Sequence, residues 1–132
     1  NFADYWSHWL TFPDRIQSLP PIYHVNWFRK DENGRFMWPG FGDNMRVLEW
    51  VIARSKGEAE VTETAIGGMP QVSDINIDGL DTDSATLEAL LEVDTEAWSV
   101  EMQQIREYLE TYGDRLPGQL IAELDGVVAD LA

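Results

Sequence analysis

The chain has 132 residues, of which 44% are hydrophobic, a share sufficient for one modest core. Its 24 acidic and 9 basic side chains give a formal charge of −15, which argues against partners such as the phosphate backbone of nucleic acids or an anionic membrane. The chain has no cysteine, which excludes disulfides, thiolate metal sites and cysteine nucleophiles and fits a cytoplasmic protein.

The first predicted element is a helix over residues 3–12. Tyr5, Trp6 and Trp9 recur at near-helical spacing before Pro13, so we expect a helix with a heavily aromatic buried face. The sequence has no initiator methionine and enters this helix at once. We therefore expect the beginning of the molecule to be missing.

A strand and a turn are predicted next. Residues 22–28 are rich in β-branched and aromatic side chains, which favours a strand. The turn is expected at residues 31–34, because Asn33 and Gly34 favour positive φ angles. The chain then returns through residues 35–38, which predicts a short hairpin or a strand-loop excursion.

A second helix is predicted after the interruption at residues 39–42. Asp43 or Asn44 can cap its start, and the helix is expected to end near Gly57. Its apolar face is formed by Val47, Leu48, Trp50, Val51 and Ile52.

The rest of the sequence predicts loops followed by helices. Residues 58–83 have no comparable periodicity and favour surface loops with one short extended piece. Residues 84–93 are predicted to be helical, and Asp94 is predicted to cap a longer helix. The last helix is expected to start at Pro117 and to dock through a regular apolar face.

The two halves of the sequence differ in charge. Residues 1–57 hold seven basic and six acidic side chains, whereas residues 58–132 hold two basic and 18 acidic ones. A small anionic ligand is therefore less repelled by the first half, while the second half resembles a solvated acidic shell.

The densest group of candidate binding residues lies between Asn26 and Asn44. Phenyl rings offer faces on which a nucleobase can stack, an interaction worth about 1–3 kcal/mol per base. The glycines on both sides of Phe41 carry no Cβ that would keep backbone amides away from a ligand. The Asn44 side chain has both a donor and an acceptor, which suits the edge of a guanine base.

These residues also have an ordinary structural interpretation. Aromatic side chains close to glycine and proline are most often core residues beside turns, and composition alone does not identify a guanine site. Arg29, Lys30 and Arg46 suit contacts with phosphate or ribose, but charged side chains beside a turn are usually solvated, which is the interpretation we favour for each.

Three segments of the sequence resemble GTP-dependent phosphoenolpyruvate carboxykinase. They are residues 24–31 (HVNWFRKD), 36–44 (FMWPGFGDN) and 46–50 (RVLEW). The resemblance is strong over residues 22–54, is supported at residues 1–10 and 66–70, and is loose through the acidic tail. Gly68 departs from the family pattern, which commonly has an aromatic residue there.

The resemblance implies a role for four residues. In this family the guanine base is stacked between two phenylalanines with a third nearby, and these match Phe28, Phe41 and Phe36. Asn44 matches the asparagine that reads the base. The four side chains are therefore expected to converge on one cleft that binds GTP or GDP, with two of the rings facing each other.

The resemblance also implies the reaction of the whole enzyme. The family converts oxaloacetate and GTP into phosphoenolpyruvate, GDP and carbon dioxide, with manganese in the site and a second divalent ion, magnesium, carried by the nucleotide. This sequence has no G-x-x-x-x-G-K-[ST] phosphate loop and no Lys/His/Asp set matching the manganese ligands. We therefore assign no catalytic and no metal-binding residue to it.

The implied fold class is an α+β segment of the α/β carboxykinase fold, with a helix, short strands or a hairpin, and a mainly helical C-terminal part. Residues 1–57 are expected to be the guanine-binding part of the nucleotide-binding domain, and residues 58–132 an acidic loop and helical part of the same domain. The implied partners are a guanine nucleotide and the remainder of a monomeric, cytoplasmic enzyme of gluconeogenesis.

A different class of function remains open on the residues themselves. A non-enzymatic domain could bind a protein or a carbohydrate through Trp6, Trp9, Trp27, Trp38 and Trp50.

The remaining signals for metal binding are weak. His8 and His24 are the only histidines and have no zinc-type spacing with acidic residues. The aspartates at positions 78, 81 and 83 lack the offsets of a calcium loop, and we interpret them as turn and cap residues.

Overall fold

A computed structural model describes residues 1–132. Three short 3-10 segments lie at Phe41–Asp43, Val72–Asp74 and Gly113–Arg115. The regular elements are α1 (Phe2–Leu10), α2 (Phe12–Arg15), α3 (Asn44–Ser55), β1 (Thr62–Thr64), β2 (Gly67–Met69), α4 (Ser84–Leu91), α5 (Thr95–Glu110) and α6 (Gly118–Leu131). The fold is thus helix-rich with one small two-stranded sheet, as the α+β prediction expected.

The chain divides into two compact units. The first comprises residues 1–19 and 93–132, and the second comprises residues 20–92. No helix in either unit combines the length and the apolar character needed to cross a membrane.

The first unit contains α1, α2, α5 and α6, and α5 packs against α6. Met102 and Leu109 on α5 and Leu124 and Leu131 on α6 are buried, and Arg106 forms an ion pair with Asp125. The predicted cap is confirmed, because the Asp94 carboxylate accepts a hydrogen bond from the Ala97 amide at 2.9 Å. Both predicted C-terminal helices are present.

The aromatic face of α1 is less buried than predicted. Trp6 is half-buried and its ring lies edge-on to that of Tyr112, with centroids 4.9 Å apart. Tyr5 and Trp9 remain exposed, so the prediction of a heavily aromatic buried face is wrong for them. Only Ala3 is fully covered on this helix, because the aromatic rings that reach α1 from α5 and the turn after it, those of Tyr108 and Tyr112, pair with Trp6 and not with Tyr5 or Trp9.

The second unit begins with an extended segment that forms no strand. Residues 22–28, predicted as a strand, have no ladder partner, and the only bridge in this region joins Lys30 to Phe36. The prediction is wrong here because local bonds replace the ladder. The Asn26 side chain accepts a hydrogen bond from the Phe28 amide at 2.9 Å, a competitor of strand pairing.

The predicted hairpin follows directly. Asp31 donates its amide to the Arg35 carbonyl at 2.9 Å, and its carboxylate accepts the amides of Asn33 and Arg35. Gly34 has a φ of 76°, a conformation that glycine adopts without steric cost. The turn therefore brings residue 30 opposite residue 36.

The second predicted helix is confirmed as α3, and Gly57 ends it with a φ of 76°. Its start differs in one respect from the prediction. Asp43 occupies the N-cap position but makes no side-chain cap hydrogen bond, and Asn44 is already the first helical residue. Neither side chain caps the helix.

The loop region contains more strand than predicted. β1 and β2 form an antiparallel pair in which Thr62 lies opposite Met69, whereas one extended piece was expected. The two glycines of β2 have low strand propensity and hide it from sequence analysis. Gly68 fits because a Cβ there would lie 3.2 Å from atoms of the Val61 side chain.

The core of the second unit is built around two tryptophans. Trp38 and Trp50 are 7% and 6% exposed and cluster with the buried Ile75 and Leu87. Trp50 comes from α3, Leu87 from α4, and Trp38 from the chain that follows the hairpin. The hairpin and the start of α3 are thereby tied to one core.

Candidate functional site

Two of the predicted base-binding rings lie side by side on the hairpin. Phe28 and Phe36 have centroids 6.0 Å apart with their planes at 64°, an edge-to-face arrangement. The Lys30–Phe36 bridge and the hydrogen bond from the Met37 amide to the Arg29 carbonyl hold the two arms together. Phe28 is 72% and Phe36 is 58% exposed, so apolar surface of both rings is open to a ligand.

The third ring lies on a different element. Phe41 begins the 3-10 segment that leads into α3, and it is 92% exposed. Its ring is not paired with any other aromatic ring. The turn before it depends on Gly40, whose φ of 138° and ψ of −174° are accessible almost only to glycine. Convergence of Phe41 with Phe28 and Phe36 on one cleft stays a prediction.

The Asn44 side chain is held by a tryptophan that sequence analysis did not connect to it. The indole Nε1 of Trp38 donates to Oδ1 of Asn44 at 2.9 Å. An indole nitrogen is a donor only, so its partner on the carboxamide must be the oxygen. The Nδ2 group of Asn44 makes no hydrogen bond within the protein. This half-buried side chain therefore keeps two free donors.

Trp38 is itself fixed by its neighbours. Its ring packs against that of Trp27, with centroids 6.1 Å apart, and against the buried core of the second unit. Trp27 directly precedes Phe28 in the sequence. The contact between these two rings thus links Trp27, the residue before Phe28, to Trp38, the hydrogen-bond donor to Asn44.

Arg29 and Arg46 are not simply solvated, and the interpretation favoured from the sequence is wrong for them. Arg29 donates to the carbonyls of Leu90 and Glu92 at 3.1 and 3.3 Å. The partners lie more than 60 residues away in sequence, which is why local sequence patterns gave no sign of them. Arg29 therefore ties the hairpin to the end of α4.

Arg46 makes a similar pair of bonds from α3. It donates to the carbonyls of Asn76 and Asp78 at 2.8 and 2.9 Å, and its Nε lies 3.5 Å from a carboxylate oxygen of Asp43. These guanidinium groups brace the site and are already committed to backbone oxygens. Lys30 instead lies with its Nζ 5.0 Å from the centre of the Phe36 ring.

Asp83, an acidic residue of the second unit, has a structural role. The Asp83 carboxylate accepts the Thr86 amide at 2.8 Å, and this hydrogen bond lowers the pKa of Asp83. Its predicted role as a cap residue is confirmed. No group of three or more His, Asp or Glu side chains is arranged to hold a metal ion.

An open groove of about 690 Å³ lies elsewhere on this unit, between residues 71–78 and the start of α4. None of the four predicted base-binding residues lines it. The groove is open and is lined by both apolar and polar side chains, so the exposed phenylalanines remain the candidate site.

The tryptophans do not support the alternative of an aromatic binding surface. Trp38 and Trp50 lie in the core and cannot contact a protein or carbohydrate partner. Among the five tryptophans considered for that function, only Trp9 is a largely exposed side chain.

Comparison with known proteins gives a consistent match over the whole chain. Residues 1–130 match the family described as phosphoenolpyruvate carboxykinase C-terminal P-loop domain. A protein of Chlamydia muridarum named phosphoenolpyruvate carboxykinase [GTP] is 45% identical over 132 residues, which cover 99% of this chain and 22% of that protein. Proteins of the same name from Neocallimastix frontalis and Paenarthrobacter aurescens are 47% and 43% identical over 130 and 127 residues, covering 96% and 95% of this chain.

The match has a defined extent. The chain spans about a fifth of the length of these relatives, 21% to 22% in each case. The family match covers nearly all of its residues and includes the hairpin, the turn before α3 and Asn44. The chain therefore belongs to the phosphoenolpyruvate carboxykinase C-terminal P-loop domain family.

Proposed function

We propose that residues 1–132 form the guanine-binding part of a GTP-dependent phosphoenolpyruvate carboxykinase. In this enzyme oxaloacetate and GTP would give phosphoenolpyruvate, GDP and carbon dioxide. The observation that carries the proposal is a contrast within the second unit, which buries Trp38 and Trp50 but leaves Phe28, Phe36 and Phe41 exposed. Full burial of such a ring is worth about 1.5–3 kcal/mol, so three exposed phenylalanines close to one hairpin and turn favour a binding surface.

Each residue has a chemical role in this proposal. Phe28 and Phe41 would stack on the two faces of the base, and Phe36 would support Phe28, which it already contacts edge to face. Asn44 would donate from Nδ2 to O6 of guanine, an acceptor, whereas adenine has an amino donor at the same position. Selectivity for guanine would therefore come from Asn44 and affinity for the base from the rings.

The chemistry of phosphoryl transfer would depend on other residues of the full-length protein. This chain has no phosphate-loop motif and no group of three acidic or histidine side chains placed to hold a metal ion. Manganese and the divalent ion carried by the nucleotide would thus be held elsewhere. We expect residues 1–132 alone to convert no oxaloacetate, as a coupled assay of the purified segment would measure, and turnover would contradict this division of roles.

The remaining assignments are also part of the proposal. We propose that the segment belongs to the α/β carboxykinase fold, with residues 1–57 contributing the guanine site and residues 58–132 the acidic part of the same domain. We propose a monomeric, cytoplasmic enzyme, as the resemblance to the family implies, and the absence of cysteine is compatible with the cytoplasmic location.

A competition titration tests the proposed function. GDP and ADP carry the same ribose and phosphates, so displacement of a labelled GDP from the full-length protein compares only the two bases. We expect GDP to compete at least about tenfold better, a difference of about 1.4 kcal/mol. Equal competition by GDP and ADP would refute a guanine site.

Leucine substitutions test which rings take part. Phe41→Leu and Phe28→Leu should weaken binding of both nucleotides, because each removes stacking worth about 1–3 kcal/mol. Phe2→Leu is the matched control, since Phe2 is a similarly exposed phenylalanine of the first unit. Equal effects of all three substitutions on nucleotide binding would refute the stacking roles of Phe28 and Phe41.

A further inference from the structure

The carboxamide of Asn44 can lie in two orientations, and recognition of one kind of base requires one of them. The two ends of the Asn44 side chain are similar in shape but opposite in hydrogen bonding, because Oδ1 accepts and Nδ2 donates. A half-turn of the group exchanges them. An asparagine free to make that turn could serve guanine through Nδ2 or adenine through Oδ1, and would discriminate poorly between them.

A hydrogen bond from Trp38 opposes this half-turn of the amide. Its Nε1 donates to Oδ1 of Asn44 at 2.9 Å. Turning the amide would bring its own donors against the indole donor and leave the indole N–H without an acceptor. Removing the partner of a buried donor is more costly than the net value of the bond itself. The bond therefore favours one of the two orientations of the amide.

The indole cannot follow the amide if it turns. Trp38 is 7% exposed, its ring packs on that of Trp27, and the core of the second unit surrounds it. Close packing in a core restricts a large ring to one rotamer. The donor that Asn44 meets is thus fixed in place.

We infer that Trp38 is a positioning residue for base selection: it orients the Asn44 carboxamide with Nδ2 directed away from the core, and so makes the site selective for a base with an acceptor at position 6. The inference rests on the proposed function, and it adds to it a residue that does not touch the nucleotide. Discrimination between guanine and adenine then depends on a hydrogen bond within the protein.

The first test compares two tryptophan-to-phenylalanine substitutions in the full-length protein. Trp38→Phe keeps an aromatic ring and removes the indole N–H. Trp50→Phe makes the same change in the same core at a similarly buried position, but the Trp50 N–H has no hydrogen-bond partner. The comparison separates loss of the bond from loss of ring volume.

The measured quantity is the ratio of the dissociation constants for ADP and GDP, with IDP as a third probe because it carries the 6-oxo group without the 2-amino group of guanine. Trp38→Phe should lower the ADP-to-GDP and ADP-to-IDP ratios by about tenfold, as expected for one net hydrogen bond. Trp50→Phe should change them by less than about twofold. If both variants keep the wild-type ratios, the inference is wrong while the proposed function stands.

A second test uses a variant of Asn44 in which the two ends of the side chain are equivalent. Asn44→Asp replaces the carboxamide with a carboxylate, whose two oxygens are equivalent acceptors. One oxygen can still accept from Trp38, and the other would face position 6 of the base, so preference should shift toward ADP. Adding Trp38→Phe to Asn44→Asp should leave the ratio unchanged, because no orientation remains to be chosen. An equal effect of Trp38→Phe in both backgrounds would overturn the inference.

If the wild-type protein prefers neither GDP nor IDP to ADP, the proposed function itself fails. If Trp38→Phe does not fold by circular dichroism, Trp38→Met takes its place, since it also fills the core with a large apolar side chain and has no N–H donor. An ADP-to-GDP ratio in Trp38→Met equal to that of the wild type would then overturn the inference.

Discussion

Arg46 on α3 donates a hydrogen bond from its guanidinium group to the backbone carbonyl of Asp78 at 2.9 Å, and a second N–H reaches the carbonyl of Asn76 at 2.8 Å. The bonds span about 30 residues of sequence. They join the helix that starts with Asn44 to the loop before α4. Arg46 is thus a brace of the candidate site and not a free cation beside it.

Arg46→Met should loosen this loop. The substitution keeps the length of the side chain but removes its donors, and hydrogen bonds to a charged group are worth about 1.5–3 kcal/mol each when well buried. The Arg46 side chain is 25% exposed, so we expect a total loss of about 2 kcal/mol in the free energy of opening of this region. Hydrogen exchange at the amides of Asp78 and Leu80 measures it.

Arg35→Met is the control for that experiment. Arg35 is exposed and its side chain makes no hydrogen bond or ion pair within the protein, so its loss should leave exchange in the loop unchanged. Equal exchange in wild type and Arg46→Met would contradict the bracing role.

Gly40→Ala should destabilise the turn before α3. The φ of Gly40 is 138°, and residues with a Cβ are destabilised by about 1–3 kcal/mol in such regions. No atom lies within 4 Å of the place where its Cβ would be, so the cost is one of backbone conformation and not of crowding. Thermal melting of the full-length protein should record a lower midpoint.

Gly42→Ala provides the comparison. Gly42 lies on the other side of Phe41, also has open space where a Cβ would lie, and does not have a positive φ. This variant should melt close to wild type. A midpoint for Gly40→Ala equal to that of Gly42→Ala would show that the turn relaxes without cost.

The stability of α4 should depend on pH through Asp83. The Thr86 amide lowers the pKa of the Asp83 carboxyl from its ordinary value of 3.8. A lowered pKa means that the native state favours the charged carboxylate, so the stabilisation is present above about pH 4 and is lost as the pH falls through the lowered pKa. The unfolding midpoint of the wild type should therefore approach that of Asp83→Asn at acid pH.

Asp81→Asn controls for the general loss of a negative charge, since Asp81 lies two residues earlier and accepts no helix amide. Its unfolding midpoint should follow the wild-type dependence on pH. Proton linkage requires the difference in unfolding midpoint between wild type and Asp83→Asn to close below the carboxyl pKa. A difference that stays constant from neutral pH to below that pKa would exclude the Asp83 carboxylate as the source of the stabilisation.

Those parts of the fold that depend on local pattern were predictable. α3, α5 and α6 have apolar positions at the helical period and clear boundary residues, and the Asn33–Gly34 turn has its own backbone signal. The strand predicted over residues 22–28 is wrong because strand propensity does not specify a pairing partner. The Phe28 amide, for example, is bonded locally to the Asn26 side chain instead.

The sequence indicated candidate side chains for the site, whose roles stay predictions, but it did not indicate the contacts that support them. The sequence indicated Phe28, Phe41 and Asn44 as candidates. The bond between Trp38 and Asn44 depends on how the chain turns at Pro39 and Gly40, and no periodicity encodes that. The carbonyl partners of the site's arginines lie in distant segments, so only the folded chain reveals them.

Asn44→Ala in the full-length protein is the most direct test of the guanine site. The measured quantity is the ratio of kcat/KM for GTP to that for ATP, together with the thermal melting midpoint. Loss of the bond to the base should lower the ratio by about fivefold or more, because stacking on the phenylalanines accepts any purine. The midpoint should fall only modestly, since the Asn44 side chain makes one hydrogen bond, to Trp38. An unchanged ratio with a large fall in the midpoint would make Asn44 a structural residue and contradict the account.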